Sequence, residues 1–508
     1  MYYVASVKKV ARIFSRLVIS RNPNGVWINC NKQLISHGVS AFSSVAAPGA
    51  SSGLRSPLAD DAEDNVYNKI VKTVDCPGLK RGMDYVKLGD SDLVVSKVCM
   101  GTMTYGIQNT LEEGVALLDK SFDEYGINFL DTAEIYPVPP NAETQGDTDR
   151  CVCEFLKKRD RKEVILATKV AGRSPMMTYL PRGENSNPEE GADLTRQQIL
   201  DSVDESLKRL GTDYIDLLQI HWPGRYAGGL FGQADFSPSK YEEEYKKQMP
   251  VPLAEQLSAI KELIDAGKVR YFGVSNETPY GICAMAALSD HFPELYPKCV
   301  SIQNSYSLVV RKDYEAGNAE ACYHHNVSLL PYSPLAGGTL SGKYREEMTT
   351  DEDSIQPRLR LFPGYMARYL GSENEGAVNA YCDLAEKNNL TPTELALSWC
   401  YHNELVASTI IGATTMKQLD ENLKAYDIRL DEVEVEGSTM DEEISKIYKR
   451  FTDPTKAKND WKINTVIPRI SRNSGYSSRG TSCEVAAIVS LRSRRVYCNR
   501  RGIIGLEI

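Results

Sequence analysis

No apolar run in this 508-residue chain approaches the roughly 20 residues needed to cross a bilayer as a helix, so no membrane partner is expected. No G-x-G-x-x-G follows an early strand-like run, which removes the fingerprint of a doubly wound dinucleotide fold. The 12 cysteines are scattered singly. Their nearest pair, Cys151 and Cys153, has neither C-x-x-C redox spacing nor zinc spacing, so buried thiols in a reducing compartment are expected. His324 and His325 fall on a helix face and are not expected to be ligands, and no metal is implied. Acidic residues are missing from residues 1–59, yet the formal net charge is -9, carried by the middle of the chain. That balance argues against a general nucleic-acid role.

What is present is an alternation of strands and helices. Residues 127–133, 164–170, 214–221, 269–276, 300–307, 327–334 and 405–413 are short, apolar and β-branched, as parallel strands buried on both faces should be. Between them lie helical spacings: Val115, Leu118, Phe122 before Gly126; Ile199, Val203, Leu207, Leu210 before Gly211; Leu253, Leu257, Ile260, Ile264 before Gly267. Each glycine suits a left-handed cap. A later helix opens on Thr391 as cap, Pro392 at its first position and Glu394 in the capping-box position. Adding 94–101 gives eight strands over about 350 residues, and a (β/α)8 TIM barrel is the expected fold.

Four strand ends carry chemically unlike residues: Asp131 and Tyr136 in INFLDTAEIYP, Lys169 in EVILATKV, His221 in DYIDLLQIHWP. Singly, Asp131 reads as a helix cap, Tyr136 as loop packing, Lys169 as a snorkelling edge residue and His221 as a core imidazole. In a barrel the carboxyl ends of all strands face one mouth, where the four converge. A lysine closing an apolar strand needs a carboxylate beside it, and Asp131 is the obvious partner. A carboxylate, a phenol, an ammonium and an imidazole together are the parts of a proton-transfer site, so an enzyme is expected.

The motifs MGTMTYG (100–106), DTAEIYPVPP (131–140), ETQGDTD (143–149), SLKRLGTDYIDLLQIHWP (206–223), AGKVRYFGVSNET (266–278), IQNSYSL (302–308), YSPLAGGTLSGKY (332–344) and ASTIIGATTMKQLDEN (407–422) occur in order. On these the chain resembles an aldo-keto reductase of the Tas-like branch over about residues 81–455. The resemblance implies NADPH-dependent reduction of a small-molecule aldehyde or ketone, with Asp131, Tyr136, Lys169 and His221 as catalytic tetrad. Tyr136 is then the proton donor, Lys169 favours its phenolate, Asp131 places Lys169, and His221 orients the carbonyl. It also implies that Ser275, Asn276 and Gln303 hold the nicotinamide carboxamide, that Tyr332 stacks on the ring, and that Gly101 and Thr102 line the first strand's exit with Asp131. Ser333, Leu335, Gly337 and Lys343 lie along the pyrophosphate, where small residues permit close backbone approach. Gly337 to Lys343 nearly spells a phosphate-binding P-loop, but Tyr344 stands where that motif needs Ser or Thr for magnesium, so triphosphate binding is rejected.

At the adenosine end the chain departs from the common Lys-Ser pair and has Gly412, Ala413, Thr414 and Gln418; Glu421 and Asn422, which face adenine in the family, match. The Tas-like and channel-subunit branches share the Thr414 and Gln418 pattern and add an arginine, for which Arg358 is the candidate. NADPH is therefore expected over NADH. The other expectation that the resemblance leaves open is a cofactor-bound redox-sensing regulatory subunit, like the potassium-channel β subunits.

Insertions around 171–193 and 223–250 follow strands three and four and should overhang the mouth; Trp222, Tyr226 and Phe231 either wall an apolar pocket or pack the loop. Residues 1–60, acid-free up to residue 59 and Ser/Ala/Gly-rich, have the composition of a disordered organelle transit peptide, for a plastid (chloroplast) or else a mitochondrion. Residues 456–508 read as a basic, disordered tail. A monomer or weak oligomer is expected.

Overall fold

The computed structural model describes residues 71–182, 191–228, 235–345, 367–369 and 371–456. The expected transit peptide, the tail beyond 456, Phe231 and Arg358 lie outside the described residues.

An antiparallel sheet of β1 (Lys72–Val74), β2 (Met83–Lys87) and β3 (Val94–Ser96) leads into eight parallel strands: β4 (Val98–Gly101), β5 (Phe129–Asp131), β6 (Ile165–Val170), β7 (Ile215–Ile220), β8 (Val269–Ser275), β9 (Cys299–Gln303), β10 (Ser328–Leu329) and β11 (Thr409–Ile411). Their order β10-β9-β8-β7-β6-β5-β4-β11 is sequential apart from the closing pair. The circle closes where the Ala407 amide donates to the Leu329 carbonyl at 3.0 Å and the Ile410 amide to the Pro331 carbonyl at 2.9 Å. The fold is the expected (β/α)8 barrel.

Two runs differ from their sequence reading. Residues 94–101 divide at Lys97: Ser96 pairs with Tyr85 outside the barrel, the Lys97 amide donates to the Asp84 carbonyl, and Val98 then pairs with Thr409 inside it. No glycine or proline stands between Val95 and Val98, so no turn residue marks the division. The run 327–334 keeps only two ladder residues, because Pro331 has no N–H to donate.

Helix ends fall at the expected Gly126 and Gly211, and one helix start falls at the expected Thr391. Thr110 and Glu113 form a capping box on α1 (Leu111–Tyr125), which ends at left-handed Gly126 (φ 67°). Thr195 caps α2 (Arg196–Leu210), which ends at Gly211 (φ 63°). The third expected glycine lies one residue late: α3 (Leu253–Asp265) is capped by right-handed Ala266, with Gly267 at φ 73° after it. Thr391 and Glu394 form the capping box of α4 (Pro392–His402).

Alternation along the strands sets the interior. Val86, Leu88, Leu93 and Val95 of the N-terminal hairpin pack with Phe129, Ile165, Ala167, Leu217 and Val300, an apolar floor at the strands' amino ends. Two residues beyond Phe129, Ala167 and Leu217 come Asp131, Lys169 and Gln219, and three beyond Val300 comes Gln303, all buried. A period of two thus carries β5, β6 and β7 from an apolar floor to a polar ceiling.

Candidate active site

Asp131 is the last residue of β5, Lys169 the fifth of six in β6, and His221 the first after β7. Tyr136 stands in the loop after β5. Lys169 is fully buried and its ammonium has three oxygen neighbours: Asp131 Oδ2 at 2.5 Å, the Thr132 carbonyl at 2.9 Å and the Tyr136 hydroxyl at 3.3 Å. Burial pulls the lysine below its ordinary value, and the Asp131 carboxylate opposes the fall. Because the Tyr136 oxygen accepts from Lys169, its own O–H points away from that line.

His221 packs edge-on to Tyr136, ring centroids 5.8 Å apart at 83°, and tilts against Trp222 at 4.9 Å. Its Nδ1 is buried with no partner among the described residues. Burial, and secondarily the Lys169 charge, hold its pKa well below the ordinary histidine range. The imidazole is neutral at pH 7 and has one N–H to give to a ligand oxygen.

Two buried ion pairs grip the loop that carries Asp131 and Tyr136. Glu134 accepts from Arg182 at 2.7 Å, from the Ser202 hydroxyl at 2.7 Å and from the Ala171 amide, tying the loop to the chain just past Lys169. The Thr132 hydroxyl donates to Asp149 at 2.9 Å, and Arg209 donates to the other oxygen of Asp149 at 2.9 Å. Sequence reasoning missed Glu134, Asp149, Arg182 and Arg209, since charged residues in loops and helices usually face solvent.

A cavity of about 630 Å³ opens over these groups and runs across the strand ends. At its centre Ser275, Asn276, Gln303 and Tyr332 form one network. The Ser275 hydroxyl donates to the Gln303 carbonyl at 2.7 Å, Asn276 Nδ2 to the His221 carbonyl at 2.9 Å, and the Tyr332 hydroxyl to Asn276 Oδ1 at 2.6 Å. Asn276 and Ser333 have left-handed backbones (φ 52° and 55°). Such conformations are uncommon for residues with a Cβ and gather at functional sites.

Leu335, Gly337, Gly338, Ser341 and Lys343 line the next stretch; Gly337 and Gly338, at φ 68° and 99°, bring bare backbone to the cavity wall. Gly412, before α5 (Met416–Lys424), and Gln418, Glu421 and Asn422 within it line the far end. Gly101 lines the wall as well, whereas Thr102 lies beneath it, its hydroxyl donating to the Asp131 carbonyl at 2.9 Å. Thr414 is also not on the wall: its hydroxyl donates to Gln418 Oε1 at 2.9 Å and so orients that side chain.

On the opposite flank the cavity is walled by Met103, Ile135, Val138, Pro140, Met177 and Trp222. Trp222 therefore walls the cavity. Tyr226 does not; it packs against Phe236 at 5.6 Å and lines a separate cavity. Among the described residues no group of three or more His, Cys, Asp or Glu could hold a metal ion, nine cysteines are free thiols, and no helix is long and apolar enough to cross a membrane.

The chain is 40% identical over 352 residues to Protein tas of Escherichia coli (strain K12), covering 69% of this chain and 95% of that protein. It is 37% identical over 300 residues to an aldo-keto reductase of Babesia bovis, covering 58% of this chain and 99% of that one. With a probable voltage-gated potassium channel subunit beta of Arabidopsis thaliana it shares 28% identity over 347 residues, 68% of this chain and 92% of that subunit. The Aldo/keto reductase family model matches residues 97–439, which begin at the turn into β4 and run past the last barrel strand, so the chain that places a lysine between a carboxylate and a phenol at this barrel's mouth belongs to the aldo/keto reductase family of oxidoreductases.

Proposed function

We propose that this chain reduces aldehyde or ketone carbonyls with NADPH, Tyr136 giving the proton. The observation that carries the reading is the Lys169 ammonium at 2.5 Å from Asp131 and 3.3 Å from the Tyr136 hydroxyl, under a cavity that continues past a bare-glycine wall. The residues present fit a dinucleotide. Ser275, Asn276 and Gln303 would hold its carboxamide, Tyr332 its ring, the 333–343 stretch its pyrophosphate, and Gln418, Glu421 and Asn422 its adenosine. Arg358 is the candidate for the 2′-phosphate, and with it NADPH is favoured over NADH.

When bound, the reduced nicotinamide supplies hydride. The chain's own residues do the rest. The neutral His221 N–H and the Tyr136 O–H meet the carbonyl oxygen and fix its direction. As charge develops on that oxygen, the Tyr136 proton passes to it, and the phenolate left behind faces the Lys169 ammonium, whose charge is worth more in a buried site than in water. Solvent returns the proton to Tyr136, closing the balance: one carbonyl, one hydride and one proton give one alcohol. The described residues of the flank, Met103, Ile135, Val138, Met177 and Trp222, are uncharged, and they favour uncharged apolar aldehydes and quinone-like carbonyls over carboxylate- or phosphate-bearing ones.

A second reading is favoured by the likeness to the potassium-channel subunit: a cofactor-bound regulatory or binding subunit. A carbonyl panel with the purified full chain, followed by loss of reduced-nicotinamide absorbance, separates the two. Turnover above background supports the reductase; bound cofactor without turnover supports the subunit. Residues 1–60 are proposed to direct import into a plastid, with a mitochondrion as the alternative. A fusion of that segment to a fluorescent reporter in plant cells tests the address, and diffuse cytosolic signal would refute it.

A further inference from the structure

Gln219 is the one fully buried polar side chain of the ceiling that the mechanism above leaves without a task. It lies in β7 between Leu218 and Ile220, two residues before His221, with no exposed surface. Period-two alternation turns it inward with Leu217 and His221. A primary amide there costs folding free energy unless both its ends are bonded. They are: Gln219 Nε2 donates to Asp131 Oδ1 at 3.0 Å, and Gln219 Oε1 accepts from Gln303 Nε2 at 3.1 Å. Gln303 Nε2 also donates to Asp131 Oδ1, at 2.8 Å.

Hydrogen accounting then fixes the rest. A carboxylate only accepts, so Asp131 requires the nitrogen ends of both amides. Gln219 must turn its nitrogen to Asp131, which leaves its oxygen for Gln303. Both hydrogens of the Gln303 amide are thereby committed within the barrel, and a flipped Gln303 would set its oxygen against two acceptors. Gln303 lines the main cavity, and the group it has left to offer there is its carbonyl oxygen.

We infer that Gln219 is a positioning residue that locks the Gln303 amide with its oxygen toward the cavity, where it accepts an N–H of the nicotinamide carboxamide. This rests on the proposed nicotinamide cofactor. Gln219 touches neither cofactor nor substrate; it acts through Gln303, and through the same bonds it orients Asp131 so that the other carboxylate oxygen meets Lys169. The second pin matters because one bond to Asp131 alone leaves the Gln303 amide free to rotate about it.

The test compares NADPH with its 3-acetylpyridine analogue, whose methyl ketone has no N–H, by fluorescence titration of the full chain. The native chain is expected to prefer NADPH by about tenfold, the worth of one well-placed amide hydrogen bond. In Gln219→Met, of similar volume, the preference should shrink to within about twofold while thermal midpoint and circular dichroism report a folded chain. In a Gln303→Met background, Gln219→Met should change the ratio no further, because it acts through the amide already removed. If Gln219→Met does not fold, Gln219→Asn, too short to span both partners, should show the same loss. A native chain that binds neither compound overturns the cofactor reading. One that binds both equally, or a folded Gln219 variant that keeps the full preference, overturns this inference and leaves that reading standing.

Discussion

Replacing Lys169 with methionine separates electrostatics from packing, since the stem is kept and only the ammonium is lost. At 3.3 Å from the Tyr136 hydroxyl, in a site of effective dielectric constant about 20, a unit charge is worth up to about 5 kcal/mol to a phenolate. Water entering the space left by the ammonium recovers part of that, so turnover should fall on the order of 100- to 1,000-fold. A second loss has a different origin. Asp131 keeps a buried charge whose lysine is gone, but the Gln219 and Gln303 amides still donate to it at 3.0 and 2.8 Å. That places the stability cost near the lower end for a broken buried pair, about 3 kcal/mol, or a thermal midpoint lower by on the order of 5 °C. Tyr136→Phe is the matched control: the ring keeps its edge contact with His221 and Asp131 keeps Lys169. Midpoint and NADPH affinity should therefore hold while turnover drops on the order of 100-fold or more. Steady-state rates, fluorescence titration and thermal midpoints on both variants decide the matter. A Lys169→Met chain that melts early yet turns over within about threefold of native would make the lysine a structural ion-pair partner, and Tyr136→Phe retaining most of its rate would remove the phenol as the acid.

Because burial depresses His221, activity should show no inflection near pH 6.5, and a step there that vanishes in His221→Gln would contradict a neutral imidazole. His402, enclosed by Tyr426 and facing Arg429, is pushed down to about 4; the folded chain holds it neutral while the unfolded chain takes up a proton below about 6.5, so stability is whole above that pH and drains as pH falls toward 4. Denaturant titrations should show His402→Gln losing up to about 3 kcal/mol less than the native chain between pH 7 and 4, and identical slopes would discount the histidine. Glu134→Ala strands the buried Arg182 and loosens the loop bearing Tyr136, so a loss of roughly 3 kcal/mol is expected by chemical denaturation, against no change if the pair were idle. Arg358→Ala should weaken NADPH by about 1.5 to 3 kcal/mol and leave NADH nearly unchanged, and equal losses would take Arg358 away from the 2′-phosphate.

By itself the sequence determined the barrel and the neighbourhood of its mouth. Both are written in local terms: continuous β-branched runs for strands buried on two faces, Thr391 for a helix start, Gly126 and Gly211 for helix ends, and unlike polar residues closing apolar runs at Asp131, Lys169 and His221. Tertiary structure alone decided what these groups touch. Residues 94–101 divide between two sheets because Ser96 pairs with Tyr85 and Val98 with Thr409, with no turn residue between them to mark the change. Gln219 was indistinguishable from any strand residue until register set it beside Lys169 and alternation turned it toward Asp131 and Gln303. Glu134 and Asp149 looked like solvent-facing charges until Arg182 and Arg209, 48 and 60 residues away in the chain, closed over them. Propensity and capping act over a few residues, whereas the hydrogen bonds that orient this site join strands whose separation only barrel closure removes.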